Sequence, residues 1–134
     1  MMNPFSFNTT PSLRMGAGLA GELGQITRPI CGDRVLLVTD PGMMATGLVQ
    51  QATDCLRAAG VEVTLFDQVQ ADPSEEIVLQ AAQQALGKTG VIGFGGGSSL
   101  DVAKLAALLA ASNQPLAEAY GIGNAQGPRL PLVL

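Results

Sequence analysis

The 134-residue sequence contains no histidine. Without an imidazole the chain cannot form a Ser-His-Asp or Cys-His catalytic arrangement, a histidine-ligated zinc or non-haem iron site, or a histidine general base. Chemistry within this chain would have to use carboxylates, Lys, Tyr, Cys, backbone amides or a bound cofactor. We predict no catalytic residue and no metal ligand in it.

Charged residues are also scarce, at 13% of the chain, and the seven Lys and Arg are outnumbered by eleven Asp and Glu. A net charge of −4 argues against a nucleic acid as partner, because such binders gather basic residues on one face. The 47% hydrophobic content and mean hydropathy of +0.31 argue against disorder. At this length we expect one domain, residues 1–134.

Cysteine and long apolar runs are limited as well. Cys31 and Cys55 match no zinc or CxxC spacing, so we predict reduced thiols and assign them no role. The longest apolar run, residues 105–111, is far shorter than the ~20 residues that a membrane span needs. The first twelve residues have no basic segment or apolar core typical of a secretory signal. We therefore predict a cytoplasmic protein that does not enter a membrane.

The remaining pattern alternates strands and helices. Short apolar runs predict strands at residues 34–40, 61–66, 90–94 and 130–134. Helical periodicity predicts one helix over residues 43–59, closed by Gly60, and another from the capping residue Asp72 to Gly87. A third is predicted from Ser98 to Ala111. Such βαβ units indicate an α/β fold with a doubly wound, Rossmann-like parallel sheet, and we expect the sheet to be incomplete at its C-terminal end.

Two glycine clusters are candidates for a phosphate-binding loop. The first is a literal GxGxxG made of Gly16, Gly18 and Gly21, with Asp40 19 positions further on. The preceding residues 11–15 do not form the apolar strand that a dinucleotide fingerprint follows. We favour a turn leading into a helix at residues 20–25, and the pyrophosphate loop remains the alternative.

The second cluster, Gly95, Gly96 and Gly97, follows a predicted buried strand and opens a predicted helix. Glycines allow close backbone approach to a diphosphate, and a helix N-terminus offers free N–H groups and a positive dipole end. Ser98 would cap the helix or donate to a phosphate oxygen, and with Asp101 it fits a capping box. The alternative is a glycine turn that only brings helix and sheet together.

Asp40 ends a neighbouring predicted strand at the same sheet edge. A carboxylate there accepts both hydroxyls of an adenosine ribose and repels a 2′-phosphate, which favours NAD over NADP. Two alternatives stay open: Asp40 caps its own Pro-Gly turn, and Asp101 simply pairs with Lys104.

The segment GFGGGSSLDVAK, residues 93–104, resembles the GGGSxxDxAK element of the iron-containing (type III) alcohol dehydrogenase family. The resemblance extends over nearly the whole chain. It implies an N-terminal nucleotide-binding domain in which Asp40 contacts the ribose and Gly96, Gly97 and Ser98 hold the pyrophosphate, with Asp101 in the same motif. Many relatives have Asn where Asp72 stands and Pro where Ser99 and Leu100 stand.

The resemblance further implies an NAD(P)-dependent oxidoreductase that interconverts alcohols with aldehydes or ketones. Its Fe²⁺ or other divalent metal would be held by a helical C-terminal domain that this chain lacks. We therefore expect a truncated, inactive front part of a homo-oligomeric enzyme. The alternatives are a stand-alone nucleotide-binding module and a relative of glycerol dehydrogenases or dehydroquinate synthases.

The predicted third helix is apolar all round beyond Lys104. A helix of this kind needs burial on every side. We expect the chain either to associate through it or to expose an apolar patch.

Overall fold

A computed structural model describes residues 3–134 as one parallel four-stranded sheet with helices on both faces, which confirms the predicted fold class. Met1 and Met2, part of the predicted domain, lie outside the described residues. The strands are β1 (Arg34–Val38), β2 (Glu62–Phe66), β3 (Gly90–Gly93) and β4 (Leu132–Val133). The α-helices are α1 (Leu23–Cys31), α2 (Pro41–Ala45), α3 (Leu48–Ala58), α4 (Glu75–Ala85) and α5 (Gly97–Ala111).

The sheet has the order β2-β1-β3-β4, and β1 alternates its side chains between two cores. Leu36 and Val38 pack with side chains of α4 and α5 on one face. Val35 and Leu37 pack with side chains of α1 and α3 on the other. Because β1 is central and covered on both faces, it reads as a continuous apolar run.

The strand register aligns the carboxyl ends of the three longer strands. Val38 lies opposite Phe66 of β2 and Gly93 of β3. The residues that follow these strands therefore meet at one sheet edge, where ligands bind in folds of this type.

The predicted single helix over residues 43–59 is wrong in one respect, because two helices share this stretch. Gly47, with φ 78°, separates α2 from α3. A left-handed residue ends one helix and reorients the chain, and the apolar period continues across the break. Gly60 closes α3 as predicted: its φ is 77°, and the Val61 N–H donates to the Leu56 carbonyl at 3.0 Å.

Two predicted caps are also wrong. The helix α4 is capped by Ser74, whose Oγ accepts from the Ile77 N–H at 3.4 Å, whereas Asp72 lies two residues earlier with φ 50°. The helix α5 begins at Gly97 with Gly96 as its N-cap, so Ser98 is inside the first turn. No side chain caps α5, and the Ser98–Asp101 capping box does not form.

The first glycine cluster precedes a short 3₁₀-helix, Leu19–Glu22, which continues into α1. Helical structure in this region therefore extends beyond the predicted residues 20–25. On α5, each apolar side chain is buried or half-buried against the sheet, α4 and neighbouring segments. Within residues 3–134 no helix has the length and apolarity to cross a bilayer.

Candidate functional site

A cleft of about 470 Å³ opens at the carboxyl edge of the sheet. Three chain segments line it, each following a different strand: one after β1, one after β2, and the loop that leads from β3 into α5. The lining residues are Asp40, Pro41, Val69, Gln70, Ala71, Gly96, Gly97, Ser98 and Ser99. The sequence predicted the first and third of these walls and missed the second.

Thr39 joins the three strand ends. Its N–H donates to the Phe66 carbonyl at 2.8 Å and its Oγ1 donates to the Phe94 carbonyl at 2.7 Å. Phe94 in turn donates its N–H to the Val38 carbonyl at 2.9 Å. Thr39 is fully buried. The sequence feature that indicates this position is a polar residue directly after a buried apolar strand.

Asp40 is half-buried and holds two hydrogen bonds. Its Oδ1 accepts from the Met43 N–H at 2.9 Å, which caps α2, and its Oδ2 accepts from the Ser99 Oγ at 3.1 Å. Asp40 therefore does cap the turn that follows it, which is the alternative to a ligand contact. This cap does not exclude ribose binding, because an ionised carboxylate offers about four acceptor sites and two remain.

The three glycines of the second cluster have different reasons to lack a side chain. Gly95 has φ 147°, and a Cβ there would lie 2.9 Å from Asp40 Oδ2. At Gly96 and Gly97 an added Cβ would meet nothing within 4 Å, and neither has a positive φ. Neither backbone strain nor protein packing explains these two glycines. The space above them belongs to the cleft.

The N-terminus of α5 faces this open space. The first N–H groups of a helix have no partner within it and carry the positive end of its dipole. Ser98, half-buried in the first turn, adds a hydroxyl to the lining. Anions bind readily at such a position, and a diphosphate would find donors and no obstructing side chain.

Asp101 is not among the residues that line the cleft. It lies one turn into α5, its side chain is 70% exposed, and its Oδ1 is 3.2 Å from Lys104 Nζ. The structure therefore brings Asp40, Gly96, Gly97 and Ser98 to one cleft with Gly95 packed behind, and places Asp101 outside it.

The first glycine cluster is in a different setting. Residues 3–18 form no strand and are exposed, so Gly16 and Gly18 do not follow a strand end. Gly21 lies in the 3₁₀-helix, where its carbonyl accepts a hydrogen bond from Cys55 Sγ at 3.1 Å. This cluster has the turn character that the sequence favoured.

Two groups away from the cleft have shifted pKa values. Burial raises the pKa of the Cys31 thiol to about 11. A hydrogen bond to Glu75 raises the pKa of the exposed Tyr120. Across residues 3–134, His, Cys, Asp and Glu form no group of three or more that could hold a metal ion. The donors and open space at the cleft are of the kind that a diphosphate uses.

Comparison with known proteins shows which family the chain resembles. The family model for iron-containing alcohol dehydrogenase matches residues 10–134. The chain is 31% identical over 132 residues to a sulfoacetaldehyde reductase of Bilophila wadsworthia, which covers 97% of the chain and 34% of that protein. It is 29% identical to an NAD-dependent methanol dehydrogenase of Bacillus methanolicus, over 96% of the chain and 34% of that protein.

Solved structures show the same similarity. An NADH-dependent butanol dehydrogenase A of Thermotoga maritima superposes with a TM-score of 0.84 at 26% identity, over 98% of the chain and 34% of that protein. The chain thus spans about a third of the length of these relatives.

Proposed function

The chain belongs to the iron-containing alcohol dehydrogenase family, and on that premise we propose that it is the nucleotide-binding part of an oxidoreductase. The reaction transfers a hydride between a nicotinamide cofactor and an alcohol, aldehyde or ketone. One observation carries the proposal: Gly96 and Gly97 leave an open space at the N-terminus of α5, in the same cleft as Asp40.

Each cleft residue has a role in this proposal. The N–H groups of the first turn of α5 and the Ser98 hydroxyl donate to the pyrophosphate, while Gly96 and Gly97 allow its close approach. Asp40 accepts the hydroxyls of the adenosine ribose and repels a 2′-phosphate, so NAD is preferred to NADP. Gly95 permits the loop to pack against Asp40. When bound, the nicotinamide ring gives or takes the hydride.

A divalent metal, Fe²⁺ or another, is proposed for the complete enzyme and not for this chain. The residues described offer no group that fits such an ion. The metal ligands and the residues that contact the substrate would come from elsewhere in a longer protein. We therefore propose that the 134-residue chain alone is inactive. NADH production from alcohols, with Fe²⁺ or Zn²⁺ added, tests this, and turnover by the chain alone would refute it.

The site itself is tested by a matched pair of glycine substitutions. Gly97→Ala places a methyl group in the cleft and should weaken NAD⁺ binding about tenfold, which corresponds to about 1.4 kcal/mol. Gly21→Ala is the control, because a Cβ there also meets nothing within 4 Å and the φ is not positive. Isothermal titration calorimetry of the complete gene product gives both affinities.

Both alanines should leave the free energy of unfolding unchanged or raise it by about 0.4–1 kcal/mol, since Ala costs less chain entropy than Gly. Loss of affinity in Gly97→Ala without loss of stability would therefore report on the ligand alone. If Gly21→Ala weakens binding and Gly97→Ala does not, the first glycine cluster is the phosphate loop and the proposed site is wrong.

Three further predictions from the sequence remain proposals: a small alcohol or aldehyde as substrate, assembly with further copies of the same chain, and location in the cytoplasm.

A further inference from the structure

The Ser99 hydroxyl links two of the three segments that line the cleft, the one after β1 and the N-terminus of α5. Ser99 lies in the first turn of α5, is only 1% exposed, and donates from Oγ to Asp40 Oδ2 at 3.1 Å. The two residues are 59 positions apart in sequence. A serine in a helix commonly bonds a carbonyl of its own preceding turn. This one instead reaches a carboxylate on another segment, and a hydrogen bond to a charged acceptor is stronger than a neutral one.

Two hydrogen bonds hold the carboxylate of Asp40, one at each oxygen. The Met43 N–H holds Oδ1 at 2.9 Å and Ser99 holds Oδ2. Gly95 packs beside this pair, because a Cβ on it would lie 2.9 Å from Oδ2 and 3.2 Å from Ser99 Oγ. A larger residue at position 95 would push the carboxylate and the hydroxyl apart. The side chain of Asp40 is therefore fixed before any nucleotide binds.

We propose that Ser99 is a positioning residue that sets the choice between NAD and NADP by fixing Asp40. The inference rests on the proposed function. Accommodating a 2′-phosphate requires the carboxylate to turn away from the ribose, and turning it breaks the bond to Ser99. The same bond ties the ribose contact to the helix that receives the pyrophosphate, so the spacing between the two contacts is fixed as well.

The test measures the ratio of NADP⁺ to NAD⁺ dissociation constants in the complete gene product by calorimetry. Ser99→Ala should lower this ratio about tenfold, because it removes a hydrogen bond to a charged group. Thr53→Ala is the matched control: Thr53 is 5% exposed, donates from Oγ1 to the Gln50 carbonyl at 2.9 Å, and lies in α3 away from the cleft. It should leave the ratio unchanged.

A double-mutant cycle separates positioning from general damage. In an Asp40→Gly background the Ser99 hydroxyl has no carboxylate to hold, so Ser99→Ala should cause no further change in the ratio. An equal fall in both backgrounds, or a fall in both affinities with the ratio unchanged, would overturn the inference. Ser99→Cys, which keeps a weak donor of similar size, should give a ratio between those of wild type and Ser99→Ala.

The cysteine variant also carries the test if Ser99→Ala fails to fold, and a wild-type ratio in it would then overturn the inference. A wild-type protein that binds NAD⁺ more tightly than NADP⁺, with the same ratio in Ser99→Ala, would refute the positioning role and leave the proposed function intact. A wild-type protein that binds neither nucleotide would overturn both.

Discussion

The two edges of the sheet use glycine for opposite reasons. At the amino edge, a Cβ on Gly90 would lie 2.8 Å from Cys31 Cα, and one on Gly32 would lie 3.0 Å from Thr89 Cβ. At the carboxyl edge, Gly96 and Gly97 face nothing within 4 Å. The first pair is required by packing within the chain, and the second leaves room that no part of the described chain fills. In this molecule the surroundings of a glycine, and not its presence in a cluster, indicate a ligand.

The largest effect is expected from Gly90→Ala. The new methyl group would overlap the backbone of Cys31 at a fully packed contact, and overpacking there should lower the free energy of unfolding by about 3 kcal/mol. Urea denaturation followed by circular dichroism measures the change, with Gly97→Ala as the control at the carboxyl edge. Equal stability of the two variants would remove the distinction between the edges.

Asp40→Gly tests the carboxyl edge through the preference of the protein for NAD⁺ over NADP⁺. Removing the carboxylate loses the hydrogen bonds to the ribose and the repulsion of a 2′-phosphate, so the preference for NAD⁺ over NADP⁺ should fall about 100-fold. Stability should fall by about 1–2 kcal/mol: the cap of α2 tolerates glycine, but the buried Ser99 hydroxyl loses its acceptor. An unchanged preference, measured by calorimetry with both nucleotides, would exclude Asp40 from the site.

Cys31 allows the packing at the amino edge to be tested through the dependence of stability on pH. Burial raises its pKa from the ordinary 9.0 to about 11. Between these values the unfolded chain releases the thiol proton and the folded chain keeps it, so stability should decrease as pH rises from about 9 to about 11. The expected loss is about 1–2 kcal/mol.

In Cys31→Ala this slope should become shallower and keep only the part due to Tyr120, whose pKa is also raised in the folded protein. The variant is less stable overall because a buried side chain is shortened. Denaturation curves at pH 8, 9, 10 and 11, for wild type and variant, give the comparison. Parallel curves would mean that the thiol is as accessible to solvent in the folded protein as in the unfolded one.

The smallest effect is expected from Asp101→Asn. Asp101 lies beside the carboxyl edge, but its side chain is 70% exposed and paired with Lys104. Exposed pairs of this kind contribute about 0–1 kcal/mol to stability. We expect NAD⁺ affinity to stay within about twofold of wild type. A larger loss in calorimetry would extend the nucleotide site along α5, as the family resemblance implies.

Much of the carboxyl edge could be predicted from sequence because its parts are local. A buried apolar run predicts a strand such as β1, three glycines before an apolar helix predict a βα turn, and a strand that ends in Asp40 predicts a carboxylate at the edge. The structure brings these elements together as expected. The break at Gly47 escaped prediction because the apolar period continues across it.

The contacts of Ser99 and Thr39 could not be predicted in this way, because both are non-local. Ser99 bonds a residue 59 positions away and Thr39 bonds one 55 positions away. Nothing in the neighbouring sequence states which distant group will lie opposite a hydroxyl. The loop after β2 was missed for the same reason, since its place in the cleft depends on strand order.

The hydrogen bonds of Thr39 have a consequence for local opening. The Thr39 and Phe94 amides both donate to neighbouring strands, and the Thr39 hydroxyl closes the same junction. None of these strand ends can separate without breaking bonds to the others, so they form one cooperative unit. In deuterium exchange, the amides of Thr39 and Phe94 should exchange only as fast as global unfolding allows. The strand ends that precede Asp40 and the glycine loop would therefore stay ordered until the whole protein unfolds.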